Sequence, residues 1–171
     1  MGKEEERPPA RSREMSKRKD EEERKIKVIA TNRKARHDYD ILDSFEAGIE
    51  LKGSEVKSLR LGHADVAEGY AQFEGEELWL FKLHIKHYQG AHFEPVETRK
   101  RKLLMGRHQL DRLVGAISRK GMALVPLMLY FNERGWAKVQ LGLAKRRNAA
   151  DRREVIKKRE ARREMREARN I

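Results

Sequence analysis

The sequence contains no cysteine, and this absence removes several kinds of chemistry at once. A chain without thiols forms no disulfide scaffold and offers no thiolate as a nucleophile or metal ligand. Apolar residues are also scarce, at 38% of the chain against 40% charged residues. They are concentrated, because every long apolar run lies between Val28 and Leu143. We expect one folded domain with charged segments on either side.

Long hydrophobic segments are missing as well. No run approaches the ~18 apolar residues of a membrane-spanning helix. The first residues lack the apolar core of a signal peptide. The carboxy-terminal segment lacks the Trp, Phe and Leu face of a helix that lies on a membrane surface. We therefore expect a cytoplasmic protein with no membrane partner.

The common motifs of enzymes do not occur. The chain has no glycine-rich phosphate loop followed by Lys-Ser or Lys-Thr, and no nucleophile elbow. Glu46 and Glu50 could form a carboxylate pair, but residues four apart on a strand are too far apart to act on one bond. We expect no catalytic residue. An RNA-processing enzyme that uses Glu46 or a histidine is the alternative from another functional class.

Three histidines raise the question of a metal site. His84, His87 and His92 form the closest set. However, His84 and His87 are three residues apart on a predicted strand, so their side chains should point to opposite faces. Because cysteine and a convergent carboxylate cluster are also missing, we expect no metal and no cofactor.

Positive charge is what the chain has in excess. It carries 40 Lys and Arg against 28 Asp and Glu, for a net charge of +12. The segment 144–171 holds 12 of these cations and 5 acids, without proline or glycine. Its few apolar residues, Val155, Ile156 and Met165, form no continuous stripe. A helix of this kind has little to bury, so we expect a tail that is disordered when free and helical against a polyanion.

Two further basic clusters lie inside the domain, at Arg33 to His37 and at Arg99 to Lys102, the second in a predicted loop. A run of charges is commonly only a solvated surface, but three runs in one small chain favour RNA or DNA as the partner. Several aromatic residues could stack on bases, yet most lie in apolar runs and are expected in the core. They are Trp79, Tyr88, Tyr130, Phe131 and Trp136.

The ends of the chain fall outside the predicted domain. Residues 1–27 mix 10 basic with 8 acidic side chains, which is typical of a disordered leader. The domain spans residues 28–143, and the basic tail spans residues 144–171.

Alternating hydrophobicity between these ends predicts antiparallel strands. The first strand carries Tyr39, Ile41 and Phe45 on one face, with a bulge at Gly48. Ser54 is placed to cap a short helix that ends at Gly62.

Two hairpins follow. The first joins residues 66–73 to 78–88, and the second joins residues 122–131 to 136–143. Between them, a helix with its buried face at residues 110–117 ends near Gly121, while Pro126 indicates a strand edge or a bulge. The pattern predicts a mainly β (α+β) domain, in which a small antiparallel barrel carries two or three short helices outside.

Several uninterrupted motifs resemble one known family. Residues 32–39 (NRKARHDY), 45–49 (FEAGI) and 53–60 (GSEVKSLR) resemble the amino-terminal signature of the SmpB family, the bacterial SsrA-binding proteins. Residues 101–104 (RKLL), 127–132 (LMLYFN) and 138–145 (KVQLGLAK) continue the resemblance in order. It covers about residues 29–159.

The resemblance implies an OB-like barrel and a non-catalytic adaptor. Such an adaptor binds the tRNA-like domain of transfer-messenger RNA and brings it to stalled ribosomes for trans-translation, in which the incomplete peptide is tagged for degradation. The barrel would hold the elbow of that domain, and the tail would become helical in the empty mRNA channel near the decoding centre. The resemblance also implies elongation factor Tu as a partner through the shared RNA, and we expect a monomer. A structural ribosomal protein is a further alternative.

Individual positions carry over in the same way. Asn32 and Glu46 match positions on the RNA-facing barrel surface, and His37 matches a histidine on the decoding side. The predicted barrel contacts with RNA are Asn32, Arg33, Lys34, Arg36, His37, Glu46, Arg99, Lys100, Arg101 and Lys102. The predicted tail contacts with the ribosome are Lys145, Arg146, Arg147, Asp151, Arg152, Arg153, Ile156, Lys157 and Lys158.

The tail departs from the family pattern at two points. The family usually has Gly-Lys-Lys where this chain has Arg146-Arg147-Asn148. It often has an aromatic residue or histidine before the aspartate, where this chain has Ala150, which has no ring to stack on ribosomal RNA.

Overall fold

The computed structural model describes residues 26–92, 95–119 and 121–169. The predicted leader lies outside these residues except for its last two. In chain order the elements are β1 (Lys27–Thr31), α1 (Arg33–Asp38), β2 (Tyr39–Ile49), α2 (Gly53–Arg60), β3 (Ala64–Asp65), β4 (Tyr70–Glu74), β5 (Glu77–Phe81), β6 (His84–Ile85), β7 (Arg101–Leu104), α3 (Arg107–Ile117), β8 (Met122–Phe131), β9 (Ala137–Arg146) and α4 (Ala149–Arg169).

The main sheet closes on itself. Its strand order is β1-β8-β4-β5-β7-β2-β9, and β9 also pairs with β8. Every pairing is antiparallel. All strands of this sheet except β1 therefore form a ring, and β1 lies beside β8. Closure gives each strand of the ring a neighbour on both sides, as the sequence predicts for a small sheet of this kind, and only β1 keeps an open edge among the described strands of this sheet.

The core fills the barrel and the space beneath its helices. On β9, Val139 and Leu141 are fully buried, while Lys138 before them and Gln140 between them are half-buried, as the two-residue period of a strand requires. Helices α2 and α3 each place one leucine in the same core, Leu59 and Leu113, and both side chains are completely buried. Burial of one leucine contributes about 1.5–3 kcal/mol, so these two residues help to hold their helices on the barrel.

The bulges and the helix start differ in part from the prediction. The β2–β9 register slips between Ile41 and Asp43, not at Gly48. The β8–β9 register slips just after Pro126, where a bulge was predicted. Helix α2 begins earlier than Ser54, because its amino-terminal cap is Lys52.

The second half of the first predicted hairpin is interrupted. Strand β5 ends at Phe81, and Lys82 adopts a left-handed conformation with φ of 54°. The chain then makes only a two-residue strand at His84–Ile85. Arg101 and Lys102, in contrast, do not lie in a loop. They begin strand β7, between β5 and β2.

The carboxy-terminal strand extends beyond the predicted boundary at Leu143. The β2–β9 ladder continues until Tyr39 faces Arg146. Ala144 is fully buried in a second small core with Ala35 of α1 and Val125 of β8. Helix α1 therefore packs on the barrel at the place where the tail begins. No helix in the described part of the chain is long and apolar enough to cross a membrane.

Candidate nucleic-acid interface

The β2–β9 ladder has two ends with different surfaces. At one end Gly48 faces Lys138, and at the other Tyr39 faces Arg146. With about 3.4 Å per residue, the two ends are about 30 Å apart. We call the first the groove end and the second the tail end. The ladder joins the two ends through paired strands, with one irregularity between Ile41 and Asp43, so the two surfaces belong to one rigid sheet.

The groove end carries an open cleft of about 550 Å³, lined by Leu104, Trp136 and Lys138 among others. The side chains of Trp136 and Leu104 are 66% and 52% exposed, so Trp136 is not the core residue that its apolar run predicted. Gly48 forms part of the same lining. A Cβ atom on Gly48 would lie 3.3 Å from Leu104 Cβ, so glycine here allows close approach rather than a bulge.

Glu46 stands beside the groove with a fixed orientation. The hydroxyl of Tyr130 donates a hydrogen bond to Glu46 Oε2, and Lys138 Nζ lies 3.7 Å from Oε1. Burial and the Glu46 carboxylate raise the pKa of Tyr130 well above its usual range, which keeps the hydroxyl protonated and donating. Glu46 therefore offers acceptor oxygens to a ribose hydroxyl or a base amino group next to a cation and an exposed indole.

The tail end presents the cations of α1. Arg33 and Arg36 are exposed and form no ion pair with a carboxylate in the part of the chain that the structure describes. Lys34 Nζ pairs with Glu68 at 2.7 Å, which raises the Lys34 pKa. His37 is half-buried, with Nδ1 at 3.0 Å from Asp38 Oδ1. Arg33 and Arg36 are thus the cations of α1 that are free to meet phosphate.

Asn32 has an internal role instead of an RNA-facing one. Its side chain is 2% exposed. Oδ1 accepts the Ala35 N–H at 2.9 Å and so caps α1, while Nδ2 donates to the carbonyls of Val66 and Pro126. The side chain has no free polar atom to offer an RNA. We therefore correct the prediction: Asn32 holds α1 in place rather than contacting the ligand.

The second basic cluster is largely neutralised on the surface. Lys100 Nζ lies 2.5 Å from Glu74 Oε2 and also sits over the Trp79 ring. Lys102 forms an ion pair with Glu77. These acids lie on the neighbouring strands β4 and β5, where the sequence alone does not place them. Their positive charge is thus partly offset before any RNA is bound.

The other two members of that cluster bind a buried carboxylate. Arg101 is fully buried, and its Nε and Nη2 donate to Glu55 Oε1 at 2.9 and 2.7 Å. Arg99 Nη2 donates to Glu55 Oε2 at 2.5 Å. Burial raises the pKa of Glu55, but hydrogen bonds from Arg99, the Lys52 N–H and Arg101 outweigh it, so the pKa lies below its ordinary value. Arg101 is a structural cation, which corrects its prediction as an RNA contact.

The histidines also differ from the prediction. Because β6 ends at Ile85, His84 and His87 do not point to opposite faces of a strand. Both approach Glu97, with Nε2 atoms at 2.7 and 3.6 Å from its carboxylate oxygens. The described part of the chain contains no group of three His, Asp or Glu residues arranged to hold a metal ion.

The tail leaves the tail end of the barrel as helix α4. Lys145 and Arg146 are exposed at the end of β9, whereas the Arg147 side chain is only 16% exposed. Asp151 Oδ2 accepts the Asn148 N–H at 3.3 Å, at the start of the helix. Further along α4 the predicted contacts are exposed, namely Arg153, Ile156, Lys157 and Lys158. The side chain of Arg152 lies outside the described part.

Sequence reasoning missed the groove residues Leu104, Trp136 and Lys138. One signal was present: Trp136 directly follows the polar turn from Asn132 to Gly135, so only one side of it belongs to an apolar run. The sequence does not show that Leu104 meets this turn, because β7 reaches the groove only through its pairing with β2.

Comparison with known proteins places these surfaces in one shared stretch of sequence. A family model described as SmpB protein matches residues 29–170. The SsrA-binding protein of Anaeromyxobacter dehalogenans (strain 2CP-C) is 54% identical over 140 residues, which cover 81% of this chain and 85% of that protein. The SsrA-binding protein of Bradyrhizobium diazoefficiens is 52% identical over 146 residues, covering 85% and 93% of the two chains.

A solved structure is also similar to this chain, in fold as well as in sequence. It is described as "tmRNA-SmpB: a journey to the center of the bacterial ribosome", and one of its chains superposes with a TM-score of 0.59 at 54% sequence identity. The match covers 70% of this chain and 84% of that chain. Since the barrel, its groove, α1 and the tail all fall within the matched family region, the chain belongs to the SmpB family of SsrA-binding proteins.

Proposed function

We propose that this chain is a non-catalytic adaptor that binds the tRNA-like domain of transfer-messenger RNA and delivers it to stalled ribosomes for trans-translation. The observation that carries the proposal is the pair of different surfaces at opposite ends of the β2–β9 ladder, about 30 Å apart. One is a groove with an exposed aromatic ring, and the other is a set of cations continuous with a basic tail. The SsrA-binding relatives and the tmRNA-SmpB structure support this assignment.

The groove end suits the tRNA-like domain. The elbow of such an RNA presents loops with bases that are not in a regular helix, and proteins recognise such bases by stacking and edge contacts. Trp136 supplies an exposed ring, Lys138 a cation and Glu46 an oriented acceptor. Leu104 adds an apolar contact beside the ring. The combination fits an irregular RNA surface better than a uniform duplex, which offers only shape and phosphate.

The tail end suits the ribosome. Arg33, Arg36 and the exposed cations of α4 can replace counterions on ribosomal RNA. The 21 residues of α4 would reach about 32 Å at 1.5 Å per residue. The sequence predicted disorder in the free protein for all of residues 144–171, but β9 continues to Arg146 and Arg147 is bound to β2 and α1. We propose that only the part of the tail after Asn148 is disordered when free, and that it becomes helical in the empty mRNA channel, where cations meet phosphate along the whole helix.

Three finer features belong to the same proposal. We propose that the chain works in the cytoplasm, where its RNA and ribosomes are. We propose that it acts as a monomer, because every strand of the barrel ring in the described part of the chain already has a neighbour on both sides. Elongation factor Tu would act on the same RNA without a contact to this chain.

The test of the proposal is the RNA that accompanies the protein. The full chain is purified from its cells under low-salt conditions, and the bound RNA is sequenced. We expect one abundant species with a tRNA-like end. A random sample of cellular RNA, or ribosomal RNA in equal amounts from every ribosome, would contradict the adaptor role.

A second measurement addresses catalysis. The purified chain is incubated with labelled transfer-messenger RNA in magnesium buffer. We expect the RNA to remain full length, because an adaptor binds its RNA without changing it. Turnover of the RNA that is lost in a Glu46→Gln variant would instead support the RNA-processing alternative.

A further inference from the structure

Arg147 differs from Lys145 and Arg146, the other cations at the root of the tail, where β9 ends and α4 begins. Its side chain forms hydrogen bonds with other residues of the same chain. Its Nε donates to Asp40 Oδ1 at 2.7 Å. Its Nη1 lies within hydrogen-bond distance of two carbonyls, at 3.3 Å from Arg36 O and 3.2 Å from His37 O. Its backbone N–H donates to Asp38 O at 3.0 Å. One residue thus binds both the end of α1 and the start of β2.

The chemistry of these contacts favours arginine. Arg36 and His37 lie in the last turn of α1, whose carbonyls have no partner within the helix. A cation at that end is favourable because it satisfies the free carbonyls and meets the negative end of the peptide dipoles. A guanidinium can bind a carboxylate and two carbonyls through separate N–H groups held in one plane. An ammonium on a flexible stem is less suited to do so, and lysine is the residue that the family resemblance implies at this position.

The position of Arg147 in the chain gives the contacts a consequence. The β2–β9 ladder fixes the backbone as far as Arg146, and α4 begins at Ala149. Only Asn148 lies between the bound Arg147 and the helix. Its N–H is held by the Asp151 carboxylate at 3.3 Å. The direction in which the tail leaves the barrel is therefore set by Arg147 and its partners on α1 and β2.

We propose that Arg147 is a positioning residue that anchors the root of the tail on α1. The sequence predicted a contact between Arg147 and the ribosome. In the role proposed here, Arg147 instead orients the neighbouring cations that make such contacts. The anchor is a property of the free protein. Its effect on ribosome rescue rests on the function proposed above.

The anchor can be measured without any ligand. Because the chain has no cysteine, the changes Gln72→Cys and Ala150→Cys create two unique sites for spin labels, one on the exposed side of β4 and one in the first turn of α4. The distance distribution between the labels is recorded by electron paramagnetic resonance. Arg147→Ala should broaden it, and Arg147→Lys should give an intermediate width. Arg146→Ala, which removes the same charge from an exposed neighbour, should leave the width unchanged.

The functional effect is measured by peptide tagging in a reconstituted translation system. Misplacing the start of the tail should lower the tagging rate of Arg147→Ala about tenfold, since a displacement of about 1 Å is already costly where groups must meet in register. Binding of the tRNA-like domain should not change. Arg147→Lys should restore part of the rate. Arg119→Ala, a charge loss at an exposed position just after α3, serves as the control.

Each result decides a separate statement. Equal label distributions for the natural chain and Arg147→Ala would overturn the anchor. A broadened distribution with an unchanged tagging rate would overturn its role in positioning. If the natural chain itself neither binds transfer-messenger RNA nor supports tagging, the proposed function fails, while the label distances still decide whether the anchor exists.

Discussion

The hydroxyl of Tyr130 donates a hydrogen bond to the carboxylate of Glu46, across strand β9, which lies between their strands. Tyr130 is buried in the barrel wall, and Glu46 is exposed at the edge of the groove. The contact therefore links the folded interior to the surface that we propose for RNA. It distinguishes Glu46 from an ordinary solvated glutamate, whose side chain would be free to rotate.

Changes at Glu46 should weaken RNA binding without unfolding the barrel. Glu46→Lys removes an acceptor and adds only nonspecific attraction, whereas Glu46→Gln keeps one acceptor oxygen and should have an intermediate effect. Tyr130→Phe should cost about 1–2 kcal/mol of folding free energy, as is usual for a hydrogen bond to a charged group that is partly exposed. Urea denaturation and filter binding measure the two effects. Wild-type affinity in Glu46→Lys would remove this position from the interface.

Trp136 should contribute to binding but little to stability. Base–aromatic stacking is worth about 1–3 kcal/mol, so Trp136→Ala should weaken binding of the tRNA-like domain by about 5- to 150-fold. The melting temperature should hardly change, because the indole is 66% exposed. Leu42→Ala removes another exposed apolar side chain, near the β2 bulge and far from the groove along the ladder, and should leave binding unchanged. Equal affinities for the two variants would exclude stacking on Trp136.

RNA binding should depend strongly on salt. Each phosphate neutralised by a lysine or arginine contributes about −0.7 to −0.9 to the slope of log affinity against log salt concentration. Arg33→Ala and Arg36→Ala should each flatten the slope for ribosome binding. Lys102→Ala should have a smaller effect, because Lys102 is already paired with Glu77. The slopes come from titrations at several potassium chloride concentrations, and an affinity independent of salt would mean that the cations take no part.

The Glu55 cluster should make the fold sensitive to acid. The pKa of Glu55 is lower in the folded chain than its ordinary value, so folding stability from this group is present above the unfolded pKa of about 4.3. It is lost as the pH falls through the folded pKa. Glu55→Gln leaves Arg101 buried without a carboxylate and should cost about 3–5 kcal/mol at neutral pH. The exposed ion pair between Lys102 and Glu77 is the control, since Lys102→Ala should lower the folding free energy by about 1 kcal/mol or less. Urea unfolding between pH 7 and pH 3 measures the stability of both variants. Equal losses of folding free energy in Glu55→Gln and Lys102→Ala would contradict a stabilising role for the buried pair of Glu55 and Arg101.

The barrel could be predicted because its signal is local. Alternation on β9, with Val139 and Leu141 inward and Lys138 outward, follows from the two-residue period of a strand. The break after Phe81 could not be predicted in this way, since the left-handed conformation of Lys82 carries no signal in an apolar run.

The ion-pair partners of the basic residues could not be predicted from the sequence. Arg101 and Lys102 are neighbours in sequence and both cationic, yet one is buried on Glu55 and the other is paired on the surface with Glu77. Which acid faces which base depends on strand order, and strand order is a property of the whole sheet. Charge alone therefore predicts a polyanionic partner but does not identify the cations that are free to bind it.

Tagging of a stalled peptide in a reconstituted translation system is the measurement that most directly tests whether this chain joins transfer-messenger RNA to the ribosome. The chain is compared with a form that ends at Asn148, since a cut after Leu143 would also remove the buried Ala144 and the end of the β2–β9 ladder. We expect both forms to bind the tRNA-like domain equally and only the full chain to support tagging. Ile156→Pro should resemble the shortened form, because proline costs a helix about 3 kcal/mol. Full tagging by the shortened form, or tagging in the absence of the chain, would contradict the proposed mechanism.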